Sequence, residues 1–245
     1  MATSKEVLLH ADSPSHQATV DRLNELLRSN SAVPAFSQVA VKLCSLAQNE
    51  DATIDDFTEI VALDAAVAAR CLYVASSIGF AGRPIEQLQQ ALFIIGTREI
   101  RRIAFTVAMV GAFAGFSAKI DWKKFWFHNV LVARLTERIV RLCREVDGTE
   151  YLSGLLHDIG KVIVEHYFPS EFERIIIGAI EKQCSHAQVE TIILGVDHTQ
   201  IGAAMCLQMQ IHPHLRRAVR YHHDPLCPAH LAEPADGLAQ LLFQL

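Results

Sequence analysis

Apolar residues along this chain recur mostly at helical spacing, and no stretch alternates long enough to predict a strand. Asp21 to Arg28 carries Leu23, Leu26 and Leu27 on one side. After Pro34, residues Val39, Leu43 and Leu46 mark a second helix that ends near Asn49–Asp51. Thr53 followed by Asp56 predicts a capping box, opening a helix with Ile54, Phe57, Ile60 and Val61 inward. Asp64 is placed to cap the next helix, Ala65 to Ala75. A loop from Ser76 to Arg83 follows. Pro84 suits a first helical position, and Leu88, Ala91, Leu92 and Ile95 then share a face up to Gly96. Thr97 to Phe116 reads as a further apolar helix, with Arg98, Arg101 and Arg102 near its start.

The second half opens at about Lys119. Asp121 to Val146 predicts one long helix stopped by Asp147-Gly148, with His128, Leu131, Val132, Leu135, Ile139 and Leu142 on one inward stripe. Leu152, Leu155 and Leu156 keep helical spacing into His157-Asp158, and Gly160 sits where a helix commonly ends. An apolar helix through Ile175, Ile176 and Ile180 follows. Asp197 and Gln200 bracket His198 at a helix start, after which His198, Ile201, Gly202 and Met205 share a face. Pro213 opens the last helix, carrying Arg216, Arg217 and Arg220 into Tyr221-His222-His223-Asp224-Pro225. The expected fold is all-α and without an internal repeat. It divides into a tail (1–20), an N-terminal helical subdomain (21–118) and a second helical bundle (119–245).

Composition narrows the function classes. At 245 residues and 51% hydrophobic, the chain can bury a sizeable core. Its formal net charge of −5 leaves no footprint for a polyanion, so a nucleic acid polymer is not an expected partner. The six cysteines form no C-x-x-C pair and read as reduced core residues of a cytosolic protein. Met1 to Ser15 has no apolar run of signal-peptide type. The longest apolar run, Ile103 to Ala118, falls short of the ~20 residues that span a bilayer. A cytoplasmic protein without membrane insertion is expected.

The chemistry gathers on histidines. His128, His157, Asp158, His198, His222 and His223 all fall on inward faces or at helix ends, and so many donors far apart in sequence converge only where helices return to one centre. Imidazoles with one carboxylate suit Fe, Mn, Zn, Co or Ni better than Ca or Mg. Such a site can acidify a bound water and polarise a phosphoryl oxygen, with one ion or with two about 3.5–4 Å apart. Lys161 and Arg220 are candidate phosphate partners, and each also reads as a solvated charge near a helix end.

Leu155-Leu156-His157-Asp158-Ile159-Gly160-Lys161 resembles the signature of the HD superfamily of metal-dependent phosphohydrolases. From about Val33 to Pro225 the chain resembles more specifically an HDOD domain, the HD-related output domain of bacterial signalling proteins. The likeness runs through Val33-Pro34-Ala35-Phe36, Ile60 to Asp64, Arg70 to Gly82, Ile85 to Arg102, Phe125 to Asn129, Gly195 to Gly202 and Tyr221 to Pro225.

The resemblance implies an N-terminal helical subdomain and an HD-like bundle, acting as a regulatory module with signalling proteins as partners. It implies metal ligands at His128, His157 and Asp158, with further ligands at His198, His222 and His223. The closing aspartate is best matched by Asp236. One or two Fe, Mn, Ni or Zn ions are implied, although many members have lost some of the set. A nucleotide-like ligand is a further expected partner, and Lys161 and Arg220, read above from their positions, are its candidate phosphate contacts. The alternative is an active phosphohydrolase or phosphodiesterase acting on a nucleotide or cyclic dinucleotide, with Asp158 and Lys161 in catalysis. Ile163-Val164-Glu165-His166 stands where HD-GYP relatives carry Gly-Tyr-Pro, which argues against cyclic di-GMP hydrolysis.

Overall fold

The computed structural model describes residues 14–29, 39, 42–43, 46, 51–77, 85, 87–113, 121–143, 149–209, 211 and 213–224. Among them the regular structure is entirely helical. In chain order the helices are α1 (Pro14–Arg28), α2 (Ile54–Val61), α3 (Ala65–Ser77), α4 (Leu88–Ala112), α5 (Trp122–Val140) and α6 (Thr149–Leu156). They continue as α7 (Ile159–Tyr167), α8 (Pro169–Lys182), α9 (His186–Leu194), α10 (His198–Gln208) and α11 (Pro213–Tyr221). None is long and apolar enough to cross a membrane. Asp236, the expected helix start at Pro84, Cys44 and Cys227 lie outside the described residues.

Contacts divide the chain into two units, one of residues 34–115 and one of 1–33 with 116–245. In the first, α2 and α3 pack on α4 around Phe57, Val61, Val67, Cys71, Leu92 and Ile100. The Thr53–Asp56 capping box is present in both directions, so the local signal and the packing agree. Asp64 caps α3 through the backbone N–H groups of Ala66 and Val67. Helix α4 joins two stretches across Gly96, whose φ of 74° breaks the helical path where the sequence placed the end of one helix.

In the other unit, three expectations change. Residues 14–20 are helical, not patternless tail: α1 begins at Pro14, buries Leu23 and packs on α9 and α10. Tertiary contact supplies what its weak local pattern does not. Helix α5 ends at Val140, short of Val146, and its buried face is rotated from the expected stripe. Trp126, Asn129, Val132, Ala133, Thr136 and Glu137 are buried, whereas Leu131, Leu135 and Leu142 are exposed, and His128 is half-exposed instead of inward. The polar members Asn129, Thr136 and Glu137 hide this face from an apolar count, because each bonds within its own helix. Among the four described cysteines, all free, Cys71 and Cys206 are buried while Cys143 is exposed.

The third change concerns the His-Asp segment. Helix α6 stops at Leu156, His157 and Asp158 make a turn, and Gly160 is the second residue of α7, not a helix end. Gly160 is required by a close approach: a Cβ there would overlap the carbonyl oxygen of His198. Gly154 serves the same purpose on α6, where a Cβ would come within 2.5 Å of the Ala133 Cα. These contacts bring α6 against α5 and α7 against α10, so the turn between α6 and α7 faces residues of both.

Candidate metal centre

All of the candidate histidines except His128 sit at helix ends. His157 and Asp158 occupy the α6–α7 turn, His198 is the first residue of α10, and His222 and His223 directly follow α11. Asp158 holds the N-cap position of α7 but makes no side-chain cap hydrogen bond, which leaves its carboxylate free to face the histidines. The N-terminus of α7 also favours its ionised form.

The carboxylate is the hub. Oδ2 of Asp158 lies 2.7 Å from Lys161 Nζ, 3.5 Å from His157 Nε2 and 3.9 Å from His128 Nε2. Oδ1 lies 3.3 Å from His198 Nε2 and 3.7 Å from His222 Nε2. Two further contacts tie the rings together: His128 Nε2 to His157 Nε2 at 3.3 Å, and His223 Nε2 to His198 Nε2 at 3.1 Å. His157, Asp158, His198 and His222 are buried, and His128 and His223 form the exposed edge.

The other ring nitrogens fix the tautomers. His157 Nδ1 donates to the Gly154 carbonyl and His222 Nδ1 to the Val219 carbonyl, each at 2.8 Å. His198 Nδ1 donates at 2.6 Å to Oε2 of Glu190, a fully buried carboxylate. A carbonyl or carboxylate can only accept, so Nδ1 carries the proton in all three rings. Their Nε2 lone pairs therefore point into the cluster.

Electrostatics act differently on each donor. Burial pushes His157 down to about 3, against the pull of Asp158, so its ring is neutral at neutral pH. Burial also pushes His223 down to about 4, helped by the charges of His222 and His198. Burial works against ionisation of Asp158, but His157, Lys161 and the contacts from His198 and His222 outweigh it and hold the carboxyl well below its usual range. For His198, burial is outweighed by Asp158 and Glu190, which raise its pKa.

These residues fit a divalent metal. Asp158 Oδ1 and His222 Nε2 are buried without a hydrogen-bond partner, a costly arrangement unless a cation satisfies both. Two sets of donor atoms each lie within 4.8 Å of one another: His128, His157 and Asp158, and Asp158, His198, His222 and His223. Ligands about 2.0–2.2 Å from one ion fit inside that spread. Asp158 belongs to both sets.

The remaining candidates fall differently. Lys161 is engaged with Asp158 at 2.7 Å and is one-fifth exposed, so it is no free surface charge. Arg220 donates at 2.9 Å to the hydroxyl of buried Thr199, which ties α11 to the start of α10. Glu190, which sequence reasoning missed, carries a legible signal: a carboxylate within the apolar run Val189–Leu194, one helix before His198.

The HDOD domain family model matches residues 33–225, and the chain belongs to that family. A curated relative, an uncharacterised protein from Treponema pallidum (strain Nichols), is 18% identical over 195 residues. The match takes in 78% of this chain, which spans only 38% of that relative's length. An HDOD domain protein of unknown function from Geobacter sulfurreducens has a TM-score of 0.77 at 22% identity, covering 92% of this chain and 76% of that one. A candidate signal transduction protein from Marinobacter aquaeolei VT8 has a TM-score of 0.72 at 21% identity, covering 96% and 55%. At these identities the likeness shows the shared fold.

Proposed function

We propose that this HDOD chain is a signal-transduction module whose HD-type pocket holds one or two Fe, Mn, Ni or Zn ions and, beside them, a phosphate-bearing, nucleotide-like ligand. The observation that carries this reading is the convergence on the Asp158 carboxylate of Nε2 atoms whose Nδ1 partners are already fixed: His198 and His222 at its unpartnered Oδ1, and His157 at Oδ2. A purely structural histidine cluster has no use for that arrangement, since it leaves buried acceptors facing one another. The fold shared with the Marinobacter signal-transduction candidate supports a signalling context, with other signalling proteins as partners. His128 and His223 at the exposed edge leave a side on which a ligand can approach.

A second reading, hydrolysis of a phosphodiester, is favoured by Lys161. Its ammonium touches the carboxylate shared by both donor sets, where it can hold Asp158 ionised and face an incoming phosphate. A bound divalent ion would supply an acidified water and a polarised phosphoryl oxygen. Arg220 supports ligand binding less directly, because one of its donors is committed to Thr199.

The test is metal content per chain, by plasma mass spectrometry, on untagged protein purified without chelator and without oxygen. One or two equivalents are expected in the wild type and none in a His157→Ala/Asp158→Ala variant. Sub-stoichiometric metal in both overturns the reading. Metal-dependent turnover of bis(p-nitrophenyl) phosphate, lost in Asp158→Ala, separates hydrolysis from binding alone.

A further inference from the structure

Glu190 is fully buried in α9, and the residue it serves, His198, is equally buried at the start of α10. One oxygen, Oε2, accepts twice from that histidine: from its backbone N–H at 2.7 Å and from Nδ1–H at 2.6 Å. The other oxygen, Oε1, is buried without a hydrogen-bond partner. Capping alone does not account for both contacts. Asp197 accepts from the backbone N–H groups of Thr199 and Gln200, and Gln200 Oε1 accepts from the Asp197 N–H, which leaves the His198 N–H to Glu190. The second bond of Glu190, to the ring, is one that no cap requires.

The rest of His198 is fixed as well. Its carbonyl lies against the Gly160 backbone, so the residue cannot retreat along α7. The same Glu190 oxygen thus holds both the backbone and the ring of His198, and it is the group that determines which ring nitrogen carries the proton. Were Nδ1 bare, Nε2 would carry the proton toward Asp158 Oδ1, 3.3 Å away, and toward His223 Nε2, 3.1 Å away. The ring could then satisfy that acceptor as a hydrogen-bond donor but could not serve as a ligand. A buried carboxylate on Nδ1 excludes this state and makes Nε2 more basic.

We propose that Glu190 is a positioning residue of the metal centre: by holding His198 as the Nδ1–H tautomer, it governs occupancy of the donor set formed by Asp158, His198, His222 and His223. It does so without touching the ion. Because it lies on the His198 side, its influence on the His128–His157–Asp158 set is indirect, through Asp158 alone. This inference rests on the metal-centre reading above.

The test uses the full chain and Glu190→Gln, which keeps the volume and an acceptor oxygen but removes the charge, alongside Glu190→Ala. Zn(II) alone and Mn(II) alone are titrated into chelator-stripped protein, with bound equivalents read by plasma mass spectrometry. The expected result is about a 10-fold loss of affinity in Glu190→Gln and up to about 100-fold in Glu190→Ala. The loss falls on the equivalents removed by a His198→Ala reference, while those removed by His128→Ala are retained.

The second readout is the imidazole nitrogen spectrum of the stripped protein. The His198 signal is that of an Nδ1–H ring in the wild type and in Glu190→Gln, whose amide oxygen still accepts, and shifts toward Nε2–H in Glu190→Ala. A merely structural role would leave this signature unmoved in a folded Glu190→Ala. If Glu190→Ala does not fold, the affinity of Glu190→Gln decides alone. Wild-type affinity in folded Glu190→Gln, or the wild-type tautomer in folded Glu190→Ala, overturns the role of Glu190 and leaves the metal centre standing. A wild type that binds neither ion overturns the metal-centre reading, and this inference with it.

Discussion

In the 34–115 unit the described buried side chains are apolar, among them Leu43, Phe57, Val61, Leu92, Ile100 and Phe113. The unit formed by 1–33 and 116–245 also buries Glu137, Glu150, Glu165, Glu190, His157, Asp158, His198 and His222. The first is held mainly by the hydrophobic effect, with Glu99 and Arg102 paired at its margin. The second keeps ionisable groups out of water, which is costly unless each is paired, hydrogen-bonded or bound to a cation. Glu137 has its Arg141, and Glu190 has His198. Around Asp158 the account does not close within the protein, since Oδ1 and His222 Nε2 lack partners. One unit is therefore expected to fold indifferently to metal, and the other to gain stability from it.

The sharpest way to break this contrast pairs Gly160→Ala with Phe57→Ala. A Cβ at Gly160 meets the backbone of His198 and Gly202, which cannot rotate away as a side chain would. Its cost is about 4 kcal/mol or more, with loss of bound metal. Phe57→Ala opens a cavity in the apolar core and costs about 3–5 kcal/mol, with metal content per folded chain unchanged. Urea denaturation alongside metal analysis checks both. Metal retained at full stoichiometry by Gly160→Ala would show that the α7–α10 crossing does not set the centre.

Acid is expected to have a smaller effect on the metal-free protein, confined to one unit. His157 titrates at about 3 when folded and near 6.5 when unfolded, so unfolding takes up a proton between those values and stability falls as pH falls through that window. Buried as it is, the loss is on the order of a few kcal/mol by pH 4. His223, held at about 4, adds less because it is exposed and screened by water. His198 acts oppositely: its raised pKa makes the folded state take its proton first, a gain already complete below pH 6.5. Asp158 adds a further loss only below the usual carboxylate range. Urea midpoints at pH 6.5, 5.5 and 4.5, where the His198 gain is already complete, should fall in that order, and a flat profile would sink the neutral-His157 account.

How far the sequence could be read follows the same division. Capping boxes, the proline at the start of α11 and the apolar faces of α2 and α4 are local, and the structure keeps them. The candidate donors were legible as residue types, but their placement depends on helix ends and crossings that periodicity does not register. Gly160 looked like a helix end because its true partner, the His198 carbonyl, lies on another helix. The inward face of α5 was misplaced because Asn129, Thr136 and Glu137 are buried while Leu131 and Leu135 are not. Glu190 stands out in the sequence as a carboxylate in an apolar helix, but its partner His198 lies on the next helix and only the fold brings the two together.

The smallest expected effect separates the units most cleanly, because the same motif occurs in both. Thr53 and Asp197 each close a capping box, so Thr53→Ala and Asp197→Ala should each cost about 1 kcal/mol of helix capping. For a chain of this size that is a shift in Tm of about 2–4 °C. The two caps differ in what they hold. Asp56 returns its bond only to Thr53, whereas Asp197 Oδ1 also accepts from the Thr199 hydroxyl, to which Arg220 donates in turn. Losing Asp197 therefore frees the residue next to His198 and loosens the link from α10 to the helix that ends at His222. Thr53→Ala is expected to keep its full metal content, and Asp197→Ala to bind metal several-fold more weakly for a similar loss of Tm. Equal metal affinity in the two variants would mean that helix ends near the centre are no more tightly coupled to it than helix ends elsewhere. The contrast between the units would then rest on burial alone.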